Sequence, residues 1–241
     1  MVSKVEEQAE TSIGQRTLVY LVRHGETTWN VEKRFQGQLD VALSKTGLRQ
    51  AEAVARWLAK QPVHFTAIYS SDLKRASLTA VLIGDKLGLT PQLDPALREI
   101  NVGEWQGLVA SEIEARYPGQ LEEWHEKIDS FTLPGGESIP LVQERIYAAY
   151  QEIVEKHPGE AVIIVSHGAA LAALIAALRD WDLVETWHTK KARMGNTHVS
   201  VAVFDHERSE HEFIMMNSGE HLETPGDAGS TLDSKPTIQA P

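Results

Sequence analysis

Two runs of five consecutive apolar residues, Leu18–Val22 and Ala161–Val165, constrain this chain more than any other feature. A strand with one wet face alternates apolar and polar side chains. A strand that is apolar throughout has to be covered on both faces, and such strands lie at the centre of parallel sheets flanked by helices. The intervening sequence supplies those helices. Residues 44–61 carry Leu48, Ala51, Val54, Ala55 and Leu58 at helical spacing and end before Pro62. After the short strand 65–69, Leu73, Ala76, Ala80, Ile83 and Leu87 form a second stripe, with Ser71 or Asp72 as the cap and Gly88 as the stop. Val142, Ile146, Ala149 and Ile153 mark a helix over 139–157, with Pro140 in its first turn. An alanine- and leucine-rich helix follows at 168–179, and "THVSVAVF" and "EFIMM" read as two late, paired strands. Strands alternating with helices predict an α/β fold with a mostly parallel central sheet.

Both apolar runs end in the same way. Leu18–Val22 runs into Arg23-His24-Gly25, and Ala161–Val165 into Ser166-His167-Gly168. Ligands of open parallel sheets bind at the carboxyl ends of the strands, so two histidines far apart in sequence can meet in one pocket. A glycine after each lets the chain turn sharply. One His-Gly pair alone reads as a structural histidine; two, one of them preceded by an arginine, point to an anion. Arg75, in the first turn after strand 65–69, would by itself read as a solvated helix arginine. Beside Arg23 it makes a guanidinium pair suited to phosphate oxygens.

The segments "LVRHGETTWN", "RFQGQLDVALSKTGLRQA", "IYSSDLKRASLTA", "LREINVGEWQG", "PGGES" and "VIIVSHGAAL" occur in this order. With them the chain resembles the histidine phosphatase superfamily, the phosphoglycerate mutase-like group, over about residues 17–205. The resemblance implies a three-layer α/β/α sandwich. It implies that His24 is the nucleophile that becomes phosphohistidine and that Glu99 is the proton donor. Arg23, Arg75 and His167 would hold the phosphoryl group, with Asn30 as a further polar contact and Gln36 and Gly37 near the substrate. Apart from the resemblance, Glu99 reads as a surface ion pair with Arg98. The implied activity is that of a phosphoric monoester hydrolase needing no metal and no cofactor.

These roles match the chemistry. Phosphoryl transfer needs a positioned nucleophile and compensation of charge on the equatorial oxygens. A neutral imidazole divides one hard step into two through a covalent adduct. Fixed cations take the place of a metal, and a carboxylic acid protonates the leaving oxygen.

Composition narrows the field. The chain has 241 residues, no cysteine and a net charge of −11. Without cysteine, thiolate nucleophiles, disulfides and thiolate metal sites are excluded. The charge argues against nucleic acid as a partner, while leaving room for a small anion at a local arginine cluster. An Asp-x-Asp, Asp180 to Asp182, follows a helical alanine run rather than a strand, against the haloacid dehalogenase arrangement. There is no Gly-x-x-x-x-Gly-Lys loop. His206 and His211 flank a polar turn and read as solvated.

Only about 60 residues separate Gly107 from His167, where mutases of this family carry a longer closing insertion. A phosphatase is therefore favoured, with a phosphoglycerate mutase and a non-catalytic phospho-ligand binder as the alternatives. "RMGNT" and the motifs above look similar to family members acting on phosphorylated glycerates and their glycosides, and members that hydrolyse phosphoserine, ribazole phosphate or sugar phosphates share most of these pieces. Trp105, Tyr117, Trp124 and Phe131 either line the pocket mouth or pack the small helices. Residues 1–16 read as a disordered lead-in, 17–217 as the phosphatase domain and 218–241 as a disordered tail. No apolar run is long enough to span a membrane. A cytoplasmic enzyme acting on a small phosphorylated substrate is expected, with a homodimer expected from the family.

Overall fold

The computed structural model describes residues 16–222. Strand β1 (Arg16–Arg23) leads into a one-turn helix, α1 (Thr28–Val31), then α2 (Lys45–Leu58), β2 (Phe65–Ser70), α3 (Lys74–Leu87) and the short β3 (Gln92–Leu93). Two 3-10 turns, Pro95–Leu97 and Gly103–Trp105, precede α4 (Ala110–Arg116) and α5 (Gln120–Glu126). The chain continues through α6 (Ile139–Lys156), β4 (Ala161–Ser166), α7 (Gly168–Leu178), α8 (Leu183–Thr189), β5 (Val199–Asp205) and β6 (Glu210–Ser218). A last 3-10 turn covers Glu220–Leu222.

The six strands form one sheet in the order β3-β2-β4-β1-β5-β6. β1, β2, β3 and β4 are mutually parallel, and β5 and β6 are antiparallel additions at one edge. The central position of β1 and β4 follows from their continuous apolar sequence. Val19, Leu21, Val162 and Ile164 face a core built with α6, α7 and the 97–133 segment. Tyr20, Val22, Ile163 and Val165 face the opposite core with α2 and α3. This is the expected three-layer α/β/α sandwich.

Some local expectations change. Leu48 is 37% exposed, while Ala51, Val54 and Leu58 are buried as the stripe predicts. Neither Ser71 nor Asp72 caps α3. The N-cap residue is Leu73, whose side chain is buried; the Ser71 hydroxyl accepts the Leu73 N–H, and Asp72 is drawn off by the Arg98 guanidinium. His206 and His211 are not simply solvated. Their rings lie 4.7 and 4.8 Å from Phe204, and His206 also meets the Thr17 hydroxyl at 2.8 Å. "DWDLV" contains no strand: Asp182 caps α8 by accepting the Glu185 N–H. Of the expected tail, residues 218–222 complete β6 and the final turn, with Leu222 buried. The remainder of the tail, 223–241, and 1–15 of the lead-in lie outside the described residues.

One backbone contact brings α2 to the strand ends. A Cβ on Gly47 would stand 2.0 Å from the Glu26 carbonyl oxygen, and one on Gly25 would stand 2.5 Å from the Gly47 carbonyl oxygen. The helix start and the loop after His24 touch backbone to backbone. Gly47→Ala is expected to destabilise the protein by about 3 kcal/mol, at the upper end for overpacking, read as a fall in the thermal midpoint.

Candidate active site

β1 and β4 are paired in register, Val22 with Val165 and Arg23 with Ser166. The next residue of each strand is therefore a histidine at the same level. The His24 N–H donates to the Ser166 carbonyl at 3.0 Å, and the two imidazole centroids are 5.1 Å apart. β2 ends beside β4, so α3 delivers Arg75 to the same point. Its Nε donates to His167 Nδ1 at 3.2 Å, and its two terminal nitrogens donate to the Gly37 and Leu39 carbonyls at 2.7 and 2.8 Å.

These bonds fix both tautomers. A carbonyl only accepts, so His24 Nδ1, 2.7 Å from Gly25 O, carries its proton. The Nε2 lone pair of His24 is then free. His167 accepts at Nδ1, so its proton resides on Nε2, which is buried with no partner among the described residues. Arg23 donates through a terminal nitrogen to Met194 O at 2.7 Å, while its Nε is also buried and unpartnered. Unsatisfied buried donors are costly. Two of them beside a free imidazole lone pair suit an anion rich in acceptors.

Burial is the main reason that His24 and His167 titrate well below the ordinary 6.5; the guanidinium of Arg75 adds to it, and Arg23 contributes to both. For His24 the Gly25 carbonyl works in the opposite direction. Burial lowers Arg23 and Arg75 to about 10, which leaves both charged at neutral pH. The acid limb of kcat/KM should accordingly lie well below pH 6.5. The sign for stability is also fixed. Unfolded histidines take up protons as pH falls through 6.5 while the buried pair does not, so native stability is lost progressively below that value. The thermal midpoint is expected to fall between pH 7 and 5, and His24→Asn should reduce that fall.

Glu99 approaches from the other side. One carboxylate oxygen accepts the Ile100 and Ala170 N–H groups, both at 3.0 Å, and the other accepts Ala169 N–H at 3.2 Å, at the start of α7. The ion pair with Arg98 is not formed, since Arg98 binds Asp72 at 2.6 Å. Asn30 is held in a capping box with Thr27, whose hydroxyl also meets Gln36 Oε1 at 2.9 Å. Gly37 takes a positive φ of 53°, and a Cβ there would strike the Gln106 side chain at 2.6 Å.

Arg23, His24, Asn30, Gln36, Gly37, Arg75 and Glu99 all line one cavity of about 190 Å³. His167 stands beside His24 and is not itself part of the lining. The structure thus brings all eight predicted residues together. The far wall adds Phe35, Ile100, Val102 and Trp124, with Arg34 at the edge held by Glu112 at 3.0 Å. Trp124 both lines the cavity and packs against Trp105 and Trp187. Trp105 is buried and Tyr117 bonds Glu104, so those two serve packing.

Arg145 is one residue that sequence reasoning missed. From α6 its guanidinium donates to the Ala96, Arg98 and Glu99 carbonyls at 2.7–2.9 Å and pairs with Glu137 at 2.9 Å, pinning the Glu99 loop.

Residues 19–216 match the histidine phosphatase superfamily (branch 1). The chain belongs to the histidine phosphatase superfamily. Among histidine phosphatase relatives, phosphoserine phosphatase 1 of Hydrogenobacter thermophilus is 33% identical over 202 residues, spanning 84% of this chain and 92% of that protein. The probable phosphoglycerate mutase GpmB of Yersinia pestis is 41% identical over 164 residues, 66% of this chain and 74% of its own length. The solved structure of a mycobacterial glucosyl-3-phosphoglycerate phosphatase superposes with a TM-score of 0.75 at 35% identity, covering 84% of this chain and 99% of that one. No helix among the described residues is long and apolar enough to cross a membrane.

Proposed function

We infer that this protein is a metal-independent phosphomonoesterase that passes the phosphoryl group of a small metabolite to water through His24. The observation that carries this reading is that the Gly25 carbonyl occupies His24 Nδ1 and leaves the Nε2 lone pair to a cavity that Arg23 and Arg75 also line.

In the first step the Nε2 lone pair attacks phosphorus and the bond to the ester oxygen breaks. The Glu99 carboxyl gives a proton to the departing alkoxide. Arg23, Arg75 and His167 compensate the charge on the equatorial oxygens. Asn30, Gln36 and the Gly37 backbone bound the same space. In the second step water attacks phosphohistidine, the Glu99 carboxylate takes its proton, and inorganic phosphate leaves with the imidazole restored.

Two similar proteins bear the names of phosphatases, one acting on phosphoserine and one on glucosyl-3-phosphoglycerate. Both substrates combine a phosphate with a carboxylate. A phosphoglycerate or glycosyl-phosphoglycerate is the substrate type proposed here. The apolar wall of Phe35, Ile100, Val102 and Trp124 would face the leaving group. A cytoplasmic enzyme consisting of one catalytic domain over 17–217, acting as a homodimer, completes this reading.

The test is steady-state hydrolysis in EDTA of p-nitrophenyl phosphate, 3-phosphoglycerate, glucosyl-3-phosphoglycerate and phosphoserine, with a coupled mutase assay alongside. Release of phosphate without mutase turnover is expected. Mutase turnover exceeding hydrolysis would favour the mutase, the activity for which the similar Yersinia protein is named. Tight phosphate or vanadate binding without turnover would make the chain a binder.

A further inference from the structure

Residues 194–198 run along the backbone that carries the reactive pair. Met194 O accepts the Arg23 guanidinium at 2.7 Å. Asn196 Nδ2 donates to the His24 carbonyl at 3.0 Å, and the Thr197 N–H donates to the Arg23 carbonyl at 3.0 Å. One turn therefore holds the guanidinium of Arg23 and both peptide carbonyls.

Thr197 itself is strained. It is fully buried with φ at +57°, a region that a β-branched residue avoids. Such a conformation persists only when its surroundings over-determine it, and it clusters at functional sites. The Thr197 hydroxyl donates to the Asn196 carbonyl at 2.8 Å, so its oxygen is left to accept. His221 Nε2 lies 3.1 Å away. His221 belongs to the final 3-10 turn, which is tied to α2: its ring is 6.0 Å from Trp57, and Trp57 Nε1 donates to Glu220. Burial, with a smaller contribution from His198, lowers His221 to about 4, so the imidazole is neutral with one N–H. Its Nδ1 is buried without a partner among the described residues, which puts that proton on Nε2, facing Thr197.

We propose that His221 is a positioning residue: from the C-terminal turn it locks Thr197 in its left-handed conformation, and Thr197 in turn fixes the Arg23–His24 backbone at the phosphoryl site. The proposal rests on the reading of His24 as the nucleophile. It makes the last described turn of the chain part of the catalytic apparatus, although no atom of that turn lines the cavity.

The experiment compares four variants. His221→Phe keeps a ring against Trp57 and removes the N–H; His221→Gln keeps a donor. Thr197→Val keeps the shape and removes the hydroxyl; Thr197→Ser keeps it. With p-nitrophenyl phosphate, His221→Phe and Thr197→Val are expected to lower kcat about ten- to a hundredfold, the scale of a small misplacement of reacting groups. KM should stay within about twofold, because the phosphate-binding side chains remain. The Gln and Ser variants should recover most of the loss. The double variant His221→Phe/Thr197→Val should be no slower than either single one, as for two members of one chain of contacts.

Soluble Phe and Val variants with the wild-type kcat, whatever their thermal midpoints, would overturn the proposal by reducing His221 to a packing residue. Failure of Gln and Ser to recover kcat would do the same. Should His221→Phe not fold, the Thr197 pair decides alone. Full activity of His24→Ala in this assay would instead overturn the nucleophile reading, and this proposal with it.

Discussion

His24→Ala is expected to abolish phosphomonoester hydrolysis, with kcat falling by about four to six orders of magnitude, the scale seen when a nucleophile is removed. No cysteine or second histidine near the cavity can take over. The chain has no cysteine. His167 is fully buried, its Nδ1 accepts from Arg75 and its Nε2 carries the remaining proton, so it has no free lone pair. The loop should survive the change. Among the described residues the His24 side chain makes one hydrogen bond, to the carbonyl of its own neighbour, while the backbone of the loop is held by Ser166, Thr79 and Asn196. The thermal midpoint should therefore stay within about 4 °C of wild type, the shift of a 1 kcal/mol change in a domain of this size. The same loss should appear in EDTA and in magnesium. Retention of more than a few per cent of wild-type turnover by a folded His24→Ala protein would remove phosphohistidine from the mechanism.

The fold and most of the site were legible in the sequence because both depend on short continuous signals. Five apolar residues in a row can only be a doubly covered strand or a stretch of buried helix, and the His-Gly ends and bounding turns separate these. Parallel pairing then puts His24 and His167 at one level without any further information. Arg145 escaped because an arginine within a helix has the same sequence signature whether it faces water or gathers three carbonyls. The only hint was Glu137 in "PGGES", eight residues earlier and its ion-pair partner. Thr197 escaped for a related reason. Left-handed backbone is expected at glycine or asparagine, and here it falls on the threonine that follows both in "GNT". α8 was hidden by length: its seven residues leave no helical stripe to count. His206 and His211 were misread because a polar turn says nothing about Phe204, which covers the rings of both.

Arg75→Ala is expected to damage activity and stability together, and Arg75→Lys to separate the causes. Arg75 is 1% exposed and makes three bonds that join two places: the end of β4 through His167, and the 37–39 loop through two carbonyls. Alanine leaves the buried Gly37 carbonyl without its donor and opens a void, a loss of about 2–5 kcal/mol. It also removes a fixed cation from the cavity lining, which on the proposed mechanism should lower kcat/KM about a thousandfold or more. The pH profile carries a separate signature. Arg75 is the largest charge contribution lowering both His24 and His167, after burial. Without it both imidazoles titrate closer to 6.5, so the acid limb of kcat/KM should move upward. Lysine keeps the charge but offers a single point of donation in place of a planar fork. It should therefore hold the acid limb near its wild-type position while recovering only part of the rate, because His167 loses the bond that sets its tautomer. An Arg75→Lys protein with the wild-type rate would mean that charge alone suffices and that the fixed His167 proton has no part in holding the phosphoryl group. An Arg75→Ala protein with an unmoved acid limb would mean that burial by itself keeps His24 neutral.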